Sequence, residues 1–124
     1  MLEIVDAHHH FWDPARNYHP WLRDEPPIPF RYGDYNAIRR RYLHEQYLAD
    51  AHDYAVAGSV YVETEWDPRD PIGEMTYVAE LRQKGLPSVA VGQAWLDRGR
   101  CREGAGTSQW LRFRAQRPPQ APAG

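Results

Sequence analysis

A short apolar run, Leu2 to Val5, leads into three consecutive histidines near the start of the chain. Such a run is typical of a β-strand, which is predicted here over Leu2–Ala7. Because side chains alternate between the two faces of a strand, His8 and His10 are predicted to point one way and His9 the other. Two imidazoles on one face at a strand end suit zinc or a similar divalent metal. The alternative interpretation is a solvated polar turn.

Composition excludes several classes of protein. Hydrophobic residues make up 42% of the chain and charged residues 26%, which indicates a globular rather than a disordered protein. A formal net charge of −2 predicts no strong attraction to nucleic acid or to an anionic membrane. Cys101 is the single cysteine, so no intrachain disulfide is expected and a reducing compartment is the default. Without a long apolar run or a signal peptide, we expect a soluble, cytoplasmic protein.

The stretch from Phe11 to Gly33 contains five prolines and is predicted to be a long loop, because proline is excluded from helix interiors and central strands. Its aromatic residues favour an ordered, functional loop over a simple apolar cover for the strand end. Arg39, Arg40 and Arg41 then form a basic cluster, for which a solvated face and an anion-binding role are the two interpretations.

Beyond the loop, apolar spacing predicts alternating helices and strands. The predicted elements are a helix over Leu43–Tyr54, a strand over Ala55–Val62, a helix over Ile72–Lys84 and a strand over Ser88–Gln93. Asp70 is placed to cap the second helix, and Gly85 to end it. Strands that alternate with helices imply right-handed crossovers and a parallel sheet, which is an α/β fold.

Polar side chains gather where the predicted strands end. His8 and His10 end the first strand, Glu63 and Glu65 follow the second on a shared face, and Gln93 ends the third. In a (β/α)8 barrel the active site lies at this end of the strands. Glu63 and Glu65 are therefore candidate catalytic residues that face a substrate. Ion pairing with nearby arginines, such as Arg69, is the alternative.

Three motifs together resemble a known family. They are Asp6-Ala7-His8-His9-His10-Phe11-Trp12-Asp13-Pro14, Tyr18-His19-Pro20-Trp21-Leu22 and Val62-Glu63-Thr64-Glu65-Trp66. The stretch from Leu2 to Arg98 is similar to the start of amidohydrolase-related proteins, in particular the TIM-barrel metal-dependent hydrolases that include the sugar and dicarboxylate lactonases.

The resemblance implies a distorted (β/α)8 TIM barrel that hydrolyses a lactone, ester or amide carbonyl of a small-molecule substrate. His8 and His10 match the histidine pair of the family's first strand, which binds a divalent metal, here expected to be zinc. In members reported to work without a metal, the pair helps to hold the substrate. Some relatives are decarboxylases, so a related decarboxylase is an alternative function.

The chain also departs from this family. A (β/α)8 barrel needs about 250 residues, whereas residues 1–98 provide three strands and lack counterparts of the family's later histidines and aspartate. Residues 99–124 form an Arg/Pro-rich segment without an apolar period. A frameshifted reading frame and a natural disordered tail both account for it. The chain alone is therefore expected to be inactive, and a metal-binding or anion-binding module without catalysis is the alternative.

Overall fold

The computed structural model describes residues 1–29 and 33–93 of the chain. Its centre is a parallel sheet of three strands in the order β1 (Leu2–His9), β2 (Tyr54–Val62) and β3 (Val89–Val91). Both pairings are parallel. The predicted α/β fold and its strand order are therefore confirmed, although β3 is shorter than the predicted Ser88–Gln93.

Within residues 1–29 and 33–93, three α-helices connect or flank the strands. They are α1 (Pro20–Arg23), α2 (His44–Asp50) and α3 (Pro71–Arg82), and a single 3-10 turn covers Asn36–Ile38. The prediction of a helix to Tyr54 was too long. Beyond Asp50 the chain turns, and the His52 ring donates from Nδ1 to the Ala49 carbonyl at 3.0 Å, which satisfies one of the last carbonyls of α2.

The third helix begins as predicted. The Asp70 carboxylate accepts a hydrogen bond from the Gly73 N–H at 3.1 Å, which caps the first turn. The helix ends at Arg82, shortly before the predicted end at Lys84. Gly85 follows with φ of +104°, in the left-handed region that glycine adopts without steric cost.

The loop after β1 contains one feature that its proline content did not predict, the short helix α1. Pro20 occupies the first turn of α1, where its missing N–H group costs nothing, and Leu22 is buried. Trp12 joins this loop to the segment before α2, since its backbone exchanges two hydrogen bonds with Tyr42. The described part of the loop is therefore ordered, as its aromatic content indicated.

One hydrophobic core lies between the sheet and the helices. Its buried residues are Phe11, Leu43, Tyr47, Tyr61, Trp66, Tyr77, Val78, Leu81 and Ala90. Since this cluster includes residues of α2 and α3 together with Tyr61 of β2 and Ala90 of β3, both helices cover the same face of the sheet. On the opposite face, Val5 and Val91 are 68% and 49% exposed.

The described residues form an open sheet, not a closed barrel. Of the predicted fragment of a TIM barrel, the structure therefore shows a parallel α/β unit. The predicted boundary at residue 98 and the predicted irregular tail over residues 99–124 lie outside the described residues. Within residues 1–29 and 33–93, every helix is too short or too polar to cross a membrane.

Candidate active site

The rings of His8 and His10 meet at the end of β1. Their Nε2 atoms are 3.3 Å apart and their ring centroids 5.0 Å. His9 is buried on the other face, where its ring packs against Phe11 and Tyr47 of the core. The side-chain orientations that strand alternation predicts for the three histidines are therefore confirmed.

The separation of these Nε2 atoms fits a shared metal ion. Two nitrogens that each lie about 2.0–2.1 Å from a tetrahedral zinc ion are about 3.3–3.4 Å apart. The separation of 3.3 Å between the Nε2 atoms of His8 and His10 falls in that range, and it also allows a hydrogen bond between the two rings. The donor set, two imidazoles, is one that zinc prefers.

The tautomer of His10 is also suited to metal binding. Its Nδ1 lies 2.9 Å from the Val62 carbonyl, and because a carbonyl only accepts, Nδ1 carries the proton in the neutral ring. The lone pair is then on Nε2, the atom that faces His8. The indole of Trp12 stacks on the His10 ring, with centroids 5.8 Å apart and planes at 19°. Trp12 and Val62 thus hold the ring in place.

Glu63 and Glu65 follow β2, and the turn that carries them has an unusual backbone. Glu65 has φ of +52°, which is uncommon for a residue other than glycine, and its N–H donates to Glu63 Oε2 at 2.8 Å. Within residues 1–29 and 33–93 neither carboxylate makes an ion pair. Arg69, which was the alternative partner, instead pairs with Asp67 at 2.8 Å.

These two glutamates line a cleft of about 310 Å³. The lining residues are Pro20, Trp21, Ile28, Glu63, Glu65, Trp66, Pro68 and Gln93. The predicted gathering of polar residues at this end of the sheet is therefore partly realised, because Glu63, Glu65 and Gln93 share one cleft. His8 and His10 are outside its lining, and His10 reaches this region through its bond to Val62.

A buried polar network that was not predicted from the sequence lies under this turn. Glu74 of α3 is completely buried, and its Oε1 accepts from the Thr64 N–H at 2.7 Å, the Thr64 hydroxyl at 2.8 Å and the Tyr61 hydroxyl at 2.8 Å. Because the Thr64 proton goes to Glu74, Thr64 Oγ1 accepts from His19 Nε2 at 2.9 Å. Trp21 donates to the Thr64 carbonyl at 2.8 Å.

This network holds the turn between the two candidate glutamates through both backbone groups and the side chain of Thr64. Burial raises the pKa of Glu74, although the hydrogen bonds from Tyr61 and Thr64 oppose that change. Burial alone lowers the pKa of His19 to about 4, so this ring is neutral near pH 7. These interactions thus hold the turn in position in the absence of a ligand.

The spacing of α3 contained a signal for this network. Glu74, Tyr77, Val78 and Leu81 fall at i, i+3, i+4 and i+7, and all four are buried. Ile72, although apolar, lies off this face and is 49% exposed. A glutamate within a buried helical face requires a polar partner inside the protein, and that requirement points to Glu74.

One residue of the basic cluster, Arg39, is bound to the loop. Arg39 donates to the carbonyls of Leu22 and Asp24 at 3.0 Å each and pairs with Glu25 at 2.7 Å. Arg40 and Arg41 are exposed. In the part of the chain that the structure describes, no group of three or more His, Cys, Asp or Glu side chains could together hold a metal ion. His8 and His10 therefore stand as a pair.

Comparison with known proteins gives one similar sequence and one similar structure. No protein-family model matches the chain. It is 39% identical over 94 residues to the uncharacterized protein y4mH of Sinorhizobium fredii, an alignment that covers 75% of this chain and 31% of that protein. Its fold is similar to that of amidohydrolase 2 from Bifidobacterium longum subsp. infantis, with a TM-score of 0.59 and 24% identity over 77% of this chain and 34% of the other. The chain spans about a third of each relative.

Proposed function

We propose that this chain contributes the first-strand part of the active site of a metal-dependent hydrolase related to the amidohydrolases. The observation that carries the proposal is the pair of His8 and His10, whose Nε2 atoms lie 3.3 Å apart with the His10 tautomer set by Val62. The fold similarity to an amidohydrolase supports it. The substrate would present a lactone, ester or amide carbonyl.

In this proposal each residue has a stated task. His8 and His10 would hold a divalent metal, zinc by preference, which when bound polarises a carbonyl and lowers the pKa of a water. Trp12 and the Val62 carbonyl orient His10, and in the neutral ring the bond to Val62 leaves the lone pair on Nε2. Glu63 and Glu65 face the cleft next to this pair and would contact the substrate.

Zinc binding tests the proposal directly. We expect the chain to bind zinc, and His8→Ala combined with His10→Ala to weaken that binding by at least about 100-fold. Loss of a group that only hydrogen-bonds to a metal ligand already costs about 10–100-fold. Isothermal titration with zinc provides the measurement. His52→Ala is the matched control, because His52 is exposed and distant in sequence from the pair. Unchanged zinc affinity in the double variant would exclude the proposed site.

A second expected result concerns turnover. A zinc hydrolase site uses three protein ligands and a water, whereas the described residues supply two histidines as a pair. We therefore expect the purified chain, assayed against a panel of lactones with added zinc or manganese, to stay at the background of the metal alone. Hydrolysis above that background, abolished in the double histidine variant, would show that the chain completes the site by itself.

A further inference from the structure

We propose that the cleft beside the histidine pair binds an organic cation, a ligand that carries a guanidinium or primary ammonium group. The proposal names a substrate class for the site described above and in that sense rests on the proposed function. It depends on three properties of the cleft, namely its charge, its aromatic residues and the fixed position of its carboxylates.

Among the described residues, the cleft carries a negative charge that no ion pair offsets. Its charged lining residues are Glu63, which is half-buried, and Glu65, which is exposed. Neither forms an ion pair within residues 1–29 and 33–93, although the nearby Asp67 does so with Arg69. Clefts lined by one sign of charge concentrate ligands of the opposite sign. An anionic ligand would be repelled here.

The remaining lining suits the body of such a ligand. Trp21 and Trp66 contribute indole rings, whose faces attract cations. Guanidinium groups of this chain already lie over aromatic rings, with Arg16 5.2 Å from the ring centre of Tyr77 and Arg69 5.4 Å from that of Tyr18. Proline and isoleucine side chains complete the cleft and can contact an alkyl chain.

The turn that carries the two carboxylates, and one oxygen of Glu63, are held in position before any ligand arrives. Thr64, between them, is bound through its N–H and hydroxyl to Glu74 and through its carbonyl to Trp21. The Glu65 N–H holds one oxygen of Glu63. Binding of a ligand therefore costs little conformational entropy, because these groups are already ordered.

A metal ion is a less suitable occupant of this cleft. Within the part of the chain that is described, no set of three His, Cys, Asp or Glu side chains converges on one point. Calcium takes six to eight oxygen ligands, and magnesium demands near-octahedral geometry. An organic cation needs only one or two carboxylates and an aromatic ring, which the cleft provides.

Butylguanidinium and butylurea are matched probes for this proposal, because they have the same shape and differ in charge. Each is titrated into the ¹⁵N-labelled full chain without added metal, and the indole N–H resonance of Trp21 is followed, after assignment by its loss in Trp21→Phe. We expect saturable binding of butylguanidinium, at least about tenfold tighter than that of butylurea. Equal affinity for the two probes would overturn the proposal.

Substitutions locate the binding site. Glu63→Gln combined with Glu65→Gln keeps the side-chain shape and an acceptor for the Glu65 N–H, and we expect it to weaken butylguanidinium binding about tenfold while leaving butylurea unchanged. Glu45→Gln, an exposed change on α2, should alter neither. Unchanged butylguanidinium binding in the double glutamine variant would refute the assignment.

Two further titrations separate this inference from the proposed function. Butylguanidinium binding should persist in the variant that lacks both His8 and His10, whereas zinc binding should be lost. Loss of zinc binding with retained butylguanidinium binding supports two distinct subsites. If magnesium or manganese instead competes with butylguanidinium at equal concentration, the cleft is a metal site and the proposal of an organic cation is wrong.

Discussion

Lowering the pH from 7 to 4 is expected to destabilise the folded chain by about 6 kcal/mol, through two buried histidines. Burial lowers the pKa of His9 to about 4, and burial does the same for His19. In the unfolded chain both rings return to a pKa of about 6.5. Each histidine therefore contributes about 3 kcal/mol of stability at neutral pH.

The sign of this change in the free energy of unfolding follows from proton uptake. Between pH 6.5 and pH 4 the unfolded chain binds more protons than the folded chain at His9 and His19, so the free energy of unfolding falls as the pH falls. The contribution is complete above pH 6.5 and is lost by about pH 4. Glu74, whose pKa burial raises, acts in the opposite direction and offsets part of this loss. The net change is still a large fraction of the roughly 5–15 kcal/mol that stabilise a typical domain.

Urea unfolding at pH 7, 6, 5 and 4, followed by circular dichroism, measures this effect. His9→Leu replaces the buried ring of His9 by an apolar side chain, and His19→Gln keeps an N–H donor for Thr64. The double variant should lose most of the pH dependence, while His52→Gln, at an exposed position, should retain it. A double variant that loses stability with acid as steeply as the original chain would contradict the assignment to these histidines.

The general arrangement of the chain follows from local patterns in its sequence. Alternating strands and helices predicted the parallel sheet, and the period of two in β1 placed His8 and His10 together. Asp70 and Gly85 marked the ends of α3 because capping and left-handed φ depend on residues next to each other in sequence. These features need no knowledge of distant contacts.

Features of the site that depend on distant contacts could not be predicted in the same way. The tautomer of His10 is set by Val62, which is 52 positions away. The bond from His19 to Thr64 spans 45 positions and the positive φ of Glu65 belongs to a turn held by Glu74. Neither secondary-structure propensity nor the hydrophobic period predicts such pairings. The sequence therefore predicted the two carboxylates as candidates but not the residues that position them.

A second large effect is expected when the Glu74 carboxylate is removed. The free energy of unfolding should fall by about 3–5 kcal/mol. In Glu74→Ala, the Thr64 N–H, the Thr64 hydroxyl and the Tyr61 hydroxyl lose a shared buried acceptor. Each buried donor left unsatisfied costs about 1–3 kcal/mol, and the space of the side chain adds a cavity. The turn that presents Glu63 to the cleft should loosen as well.

Glu74→Gln separates the hydrogen bonds from the charge. Its amide oxygen can accept all three bonds, and its NH₂ group takes the place of Oε2, which has no partner among the described residues, so we expect stability within about 1 kcal/mol of the original chain. Glu80→Ala is the control on the same helix, because its exposed pair with Arg16 should contribute at most about 1 kcal/mol. Urea unfolding at pH 7 ranks the three variants. If Glu74→Ala is no less stable than Glu80→Ala, the buried network does not hold the turn, and the fixed position of Glu63 and Glu65 needs another cause.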